Sequence, residues 1–177
     1  ATFSTPLTVY DSLGVSHVLT VNFTKTSANN WSYDITIPAV DVGQTGNPVS
    51  VSTGTLTFDN KGVLTNPAGN VGGITVNNLA SGAAPLTTTW NLYDSQNSPL
   101  VSQFANPSAT SATYQDGYGA GTLLGFAVNA DGTIEGTFSN GKTAALAQIA
   151  LATFANVQGL ERQGGNRFQS TLTSGSP

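Results

Sequence analysis

The chain has 177 residues, of which 8% are charged, with five basic against nine acidic side chains and a formal net charge of −4; the charged share is about a third of the usual one. Lys25, Lys61, Lys142, Arg162 and Arg167 form no basic cluster, which argues against nucleic-acid binding, and the longest uncharged apolar run, residues 144–155, is too short and too interrupted by Gln148 and Thr153 to cross a bilayer as a helix. The absence of cysteine removes disulfides, thiolate metal sites and cysteine nucleophiles.

The length suffices to bury a core, and the apolar residues recur at strand period. Residues 7–10 form a short run that stops at a turn with Asp11 at its start and Gly14 at its end. From 17 to 25, alternation places Leu19, Val21 and Phe23 on one face and Val18, Thr20, Asn22 and Thr24 on the other. Asn29 and Asn30 turn the chain. Trp31, Tyr33, Ile35 and Ile37 then alternate strictly with Ser32, Asp34 and Thr36, which predicts a half-buried strand ending at Pro38. Residues 39–53, rich in Gly, Gln, Asn and Pro, are expected to form a surface loop with a short strand at 49–51. Alternation resumes at 55–58, and a tight turn from Asp59 to Gly62 precedes Val63 and Leu64. Residues 66–73 read as loop, 74–79 and 86–93 as strands, and 94–99 and 106–112 as turn-rich connections.

Residues 121–160 contain two sharp turn signals, Asp131-Gly132 and Asn140-Gly141, flanked by alternating runs. Such dipeptides reach the positive φ values that two-residue hairpin turns require, so the segment reads as three strands joined by two turns. In the middle strand Ile134, Gly136 and Phe138 share one face and Thr133, Glu135 and Thr137 the other. Residues 143–155 are Ala- and Leu-rich, and propensity alone favours helix. The Asn-Gly turn before them, and the alternation of Leu146, Gln148, Ala150 and Ala152 with their neighbours, predict a strand instead. The expected fold is all-β: a β-sandwich or flattened β-barrel over residues 1–117, then a smaller β-rich segment over 118–177.

Candidate chemistry is sparse. His17, the sole histidine, lies near Asp11 and Ser12 or Ser16; a serine hydrolase also needs a nucleophile on a strained turn, and no G-x-S-x-G occurs. An ordinary histidine at a strand end is the expected role. Paired carboxylates suit glycosidases, yet seven of the nine acids are Asp, several of them beside Gly or Asn in turns, where Asp bonds the backbone. Asn129, Asp131, Thr133 and Glu135 have the odd-position spacing of a calcium loop, but Asp131-Gly132 already serves as a hairpin turn. Tyr10, Phe23, Trp31, Tyr33, Phe58, Trp90 and Phe104 would suit a carbohydrate cleft; their strand phase assigns them to the core. The glycines at 72–73 and 117–121 lack the setting of a phosphate loop. No catalytic, cofactor-binding or metal-binding residue is therefore expected, and no enzyme.

Two blocks carry a resemblance. Residues 131–177, DGTIEGTFSNGKTAALAQIALATFANVQGLERQGGNRFQSTLTSGSP, resemble the outer-core segment of bacterial flagellar hook proteins, with its D-G-T-x-x-G-x-F/Y-S-N-G turn, Q-I/V-x-L-A-x-F-A-N strand and G-x-N-x-F/W closing element. Residues 9–38, VYDSLGVSHVLTVNFTKTSANNWSYDITIP, resemble that family's entry to its outer domain, and the order and separation of the blocks match as well. The resemblance implies an outer domain at 1–117 and, at 118–177, the second half of the domain beneath it, whose first half precedes Ala1. It implies a subunit that polymerises into the curved extracellular tube joining flagellar motor to filament, exported by the flagellar apparatus without a cleavable signal. The family's apolar terminal helices are not seen, so this piece is expected to be monomeric by itself. The competing reading is a carbohydrate-binding or adhesive β-sandwich of a secreted protein.

Overall fold

The alternating residues of the first third of the chain fold into one antiparallel sheet whose five strands follow sequence order: β1 (Thr2–Tyr10), β2 (Ser16–Ser27), β3 (Asn30–Ile37), β4 (Val49–Phe58) and β5 (Leu64–Asn66). The computed structural model describes residues 1–177 and divides them into two units, Ala1–Ala120 and Gly121–Pro177. It is all-β, and no helix is long and apolar enough to cross a membrane.

In the first unit, register puts like residues side by side on the inner face: Leu7 opposite Leu19, Val21 opposite Ile35 and Phe23 opposite Tyr33. A second layer comes from the hairpin β6 (Val71–Val76) and β7 (Leu86–Trp90), whose Ile74 and Val76 join the same core as Leu19, Ile35, Ile37, Leu56 and Phe58. Trp90 is the main rivet between layers. Its ring lies edge-on 5.2 Å from that of Tyr33 at 80° and tilted 5.9 Å from that of Phe23 at 57°, contacts that add to the area each ring buries. Ile37, Leu56, Val76 and Leu92 are almost wholly buried, each contributing about 1.5–3 kcal/mol of transfer free energy. Neither β1 nor β5 closes on the other, so the unit is an unequal sandwich with an open sheet, not a barrel.

One turn design is used three times in this unit. At Asp11, Asp59 and Asp94 the aspartate Oδ1 accepts the N–H groups two and four residues on, at 2.7–2.9 Å. The aspartate carbonyl accepts the N–H of the third residue on, which is Gly14, Gly62 or Asn97, each at positive φ. A short carboxylate that reaches its own backbone, followed by a residue tolerant of the left-handed region, closes a chain reversal without long-range help.

Three expectations need correction. β4 is one ten-residue strand from Val49, not a short strand at 49–51 within a loop followed by a separate run at 55–58; its interior Gly54 is tolerated because the Tyr33 ring lies directly on it. β6 begins at Val71, so Gly72 and Gly73 lie in a strand with a register shift, and not in a loop. β7 stops at Trp90, and Leu92 is buried in irregular chain, its N–H held by Asn70.

In the second unit β8 (Leu123–Val128), β9 (Thr133–Phe138) and β10 (Thr143–Gln148) form the meander the two turn signals predict, with β9 central. Residues 143–148 are strand, not helix, but pairing ends at Gln148 after a bulge, short of the expected 155. A small hairpin, β11 (Glu161–Gly164) and β12 (Arg167–Gln169), follows. Gly136 leaves room for Leu123 and Leu146 to approach across the middle strand. Little else is covered: Leu124, Phe126, Leu151, Phe168 and Leu172 are all at least 60% exposed.

Candidate functional site

The one convergence of titratable groups lies at the end of the first unit's sheet. His17 opens β2 on its inner face, opposite Val9 of β1, and is 4% exposed. The Asp11 turn at the end of β1 brings Asp11 Oδ2 to 3.0 Å from His17 Nε2, and the 3₁₀ turn Ala39–Val42 brings Asp41 Oδ2 to 3.1 Å from Nδ1. Ser81 Oγ donates to the same Asp11 oxygen at 2.6 Å. Ala80 N–H donates to the Asp41 carbonyl, and Ala84 N–H to Ser12 Oγ. Three segments distant in sequence are thereby tied together.

The electrostatics follow from these partners. Burial by itself pushes the imidazole pKa down, but the hydrogen bonds to Asp11 and Asp41 and their charges outweigh it, holding His17 above its ordinary 6.5. Burial would likewise push Asp11 up; the donors Ser81, His17, Val15 N–H and Leu13 N–H reverse that and hold the carboxyl well below the usual range.

This is not the geometry of a nucleophilic triad. A general base needs a ring nitrogen free to take the serine proton, whereas both nitrogens of His17 face carboxylates and the nearby serine bonds Asp11. Of the residues singled out in sequence, Asp11 and His17 are brought together, while Ser12 serves the backbone of Ala84 and Ser16 is exposed. Asp41 and Ser81 were invisible as members, being 24 and 64 residues from His17; the only local signal was an aspartate six residues before a histidine at a strand start.

The other candidates resolve locally. Asp131 Oδ1 accepts Thr133 N–H, and Asn129 Nδ2 donates to Glu135 Oε2, so the calcium-spaced residues are engaged within their own turn. Tyr33 and Phe58 are buried, and Phe23, Trp31 and Trp90 pack against the core; Phe104 is 67% exposed and lines no aromatic cleft with them. A shallow groove lined by Lys25, Asn29, Asp59, Lys61, Gln103 and Phe104 has its amides already paired. Trp31 Nε1 donates to Gln103 Oε1 at 2.7 Å, and Gln103 Nε2 to Asn29 Oδ1 at 2.9 Å.

The sheet's outer face is the other surface of note. Ser4 Oγ donates to Asn22 Oδ1, Asn22 Nδ2 to Thr36 Oγ1, and Ser50 Oγ to Asp34 Oδ1. It is a hydroxyl and amide surface in which Asp34 is the only charged member of this bonded ladder.

Comparison with known proteins places these features. The chain is 35% identical over 176 residues to the flagellar hook protein FlgE of Escherichia coli K12, covering 96% of this chain and 39% of that protein. It is 35% identical over 179 residues to FlgE of Helicobacter pylori 26695, covering 99% and 24%, and 37% identical over 203 residues to FlgE of Treponema pallidum, covering 99% and 44%. The chain thus spans less than half the length of each of these relatives. A crystal structure of H. pylori FlgE2 aligns with it at a TM-score of 0.48 and 20% identity, over 95% of this chain and 36% of that one. Residues 1–118 match the family model described as the flagellar basal body protein FlaE D2 domain, so the chain belongs to that family.

Proposed function

We propose that this chain is part of a structural subunit of the bacterial flagellar hook, the flexible extracellular tube that transmits torque from motor to filament. The observation that carries the reading is the similarity to hook proteins, which runs through both units and not only through the matched domain. Residues 1–117 are the outer, surface domain, and 118–177 are half of the domain beneath it. The exposed leucines and phenylalanines of the second unit are covered by further chain in the whole polypeptide. No catalytic, metal or cofactor site takes part.

The chemistry of the outer face supports this reading. A tube that bends as it rotates stretches and compresses the contacts between neighbouring subunits at every turn. Contacts made by hydroxyls and amides are individually weak and exchange readily with water. With few charges, they are little affected by salt, because there is little to screen. A rigid sandwich with such a surface slides against its neighbours without deforming.

Deletion of the gene encoding the polypeptide that contains this chain tests the proposal. The deleted cells are expected to lack hooks and filaments and to be immotile, with motility restored by the gene in trans; normally flagellated, swimming cells would overturn it.

A further inference from the structure

We propose that His17 is a pH-sensitive latch: its doubly protonated ring joins the Asp11 turn to the 3₁₀ turn at one end of the sandwich, and loss of one proton breaks the ring's bond to one of the two carboxylates and loosens that end. The argument is one of donors and acceptors. A neutral imidazole offers one N–H and one lone pair, whereas ionised carboxylates only accept. Here both ring nitrogens lie 3.0–3.1 Å from carboxylate oxygens. A neutral ring would set a lone pair against one of those oxygens, so only the imidazolium satisfies both.

Nor can a carboxylic acid proton substitute at Asp11. That side chain already accepts from Ser81, Leu13 and Val15 besides the ring, the pattern of an ionised group. Asp11 from the end of β1 and Asp41 from the 3₁₀ turn are the titratable groups facing the ring, and the Ser81 segment contributes a hydroxyl. Both are acidic, so the field of each element favours the charged ring.

The direction of the switch follows. A group whose folded pKa is raised contributes stability that is fully present below its unfolded value, here about 6.5, and is lost as pH rises through the folded value. Asp11 is shifted the other way and fails only in strong acid. The latch is therefore closed below about pH 6.5 and opens as pH rises through the raised folded value. Leu13 and Val15 on the one turn and Val40 on the other are exposed apolar residues, so opening changes the surface this end presents.

Because His17 is the sole histidine, ring-nitrogen NMR of the ¹⁵N-labelled 177-residue chain reads the latch directly. Below pH 6.5 both ring nitrogens are expected to carry protons, with a titration midpoint above 6.5, and the amide shifts of Leu13, Val15, Ala80 and Ala84 are expected to move with the same midpoint. In His17→Gln that amide transition is absent. A midpoint at or below 6.5, or amides indifferent to the titration, would overturn the proposal; the wild-type titration decides it even if the variant does not fold.

Discussion

Replacing Gly54 by alanine tests how the two layers of the sandwich are joined. A Cβ there would lie 2.5 Å from Tyr33 Oη and 2.7 and 2.8 Å from Cζ and Cε1, where carbon contacts settle at roughly 3.5–4.0 Å. The ring must retreat by about an ångström to restore that spacing. It has nowhere easy to go, since Tyr33 is 6% exposed and Trp90 stands edge-on against it. Overpacking of this kind costs about 1–3 kcal/mol, and alanine returns about 0.5–1 kcal/mol over glycine within a strand. A net loss of up to about 2.5 kcal/mol is expected. Urea unfolding followed by the fluorescence of Trp31 and Trp90 measures it. In a Tyr33→Leu background the same substitution should become neutral or stabilising, because the obstructing ring is gone. Increased stability of Gly54→Ala in the wild-type background, or an equal effect in the Tyr33→Leu background, would refute the reasoning.

Other expectations follow from the same geometry. Gly136→Ala meets only the flexible ends of Leu146 and Leu123, themselves about half exposed, so its effect should stay within about 0.5 kcal/mol, read as unchanged amide protection along β9. Gly62→Ala places a Cβ against the backbone carbonyl of Gln103 at a positive-φ position; displacing that segment breaks the bond from Trp31 Nε1 to Gln103 and should red-shift the tryptophan emission. Asp11→Ala removes the ring's partner at Nε2 and two turn hydrogen bonds, leaving His17 buried beside Asp41 alone; a loss on the order of 3 kcal/mol is expected from denaturant midpoints at pH 7. The chain by itself should sediment as a monomer at micromolar concentration, and stable oligomers there would contradict the expectation that this piece does not polymerise.

Much of the fold is written in local pattern. Strict alternation from Trp31 to Ile37 gave the faces of β3 because a two-residue period has only two outcomes, and the Asp-Gly and Asn-Gly pairs placed both turns of the β8–β10 meander. Where the sequence misled, a distant residue decided. The runs at 49–51 and 55–58 read as separate, but Tyr33, the cross-strand partner of Gly54, covers that glycine and the strand continues through it. Gly72 and Gly73 resembled loop, but pairing with β7 holds them in an irregular strand. The run after Gln148 keeps its alternation but has no neighbouring strand to pair with. The histidine cluster was half legible: Asp11 is close to His17 in sequence, whereas Asp41 and Ser81 arrive only through the return of the chain over the sheet.

The most direct test of the hook assignment is immunogold electron microscopy of the source bacterium with antibody raised against this chain. Gold confined to the short curved segment at the base of each flagellum is the predicted result. Gold spread over the cell surface or shed into the medium would contradict it.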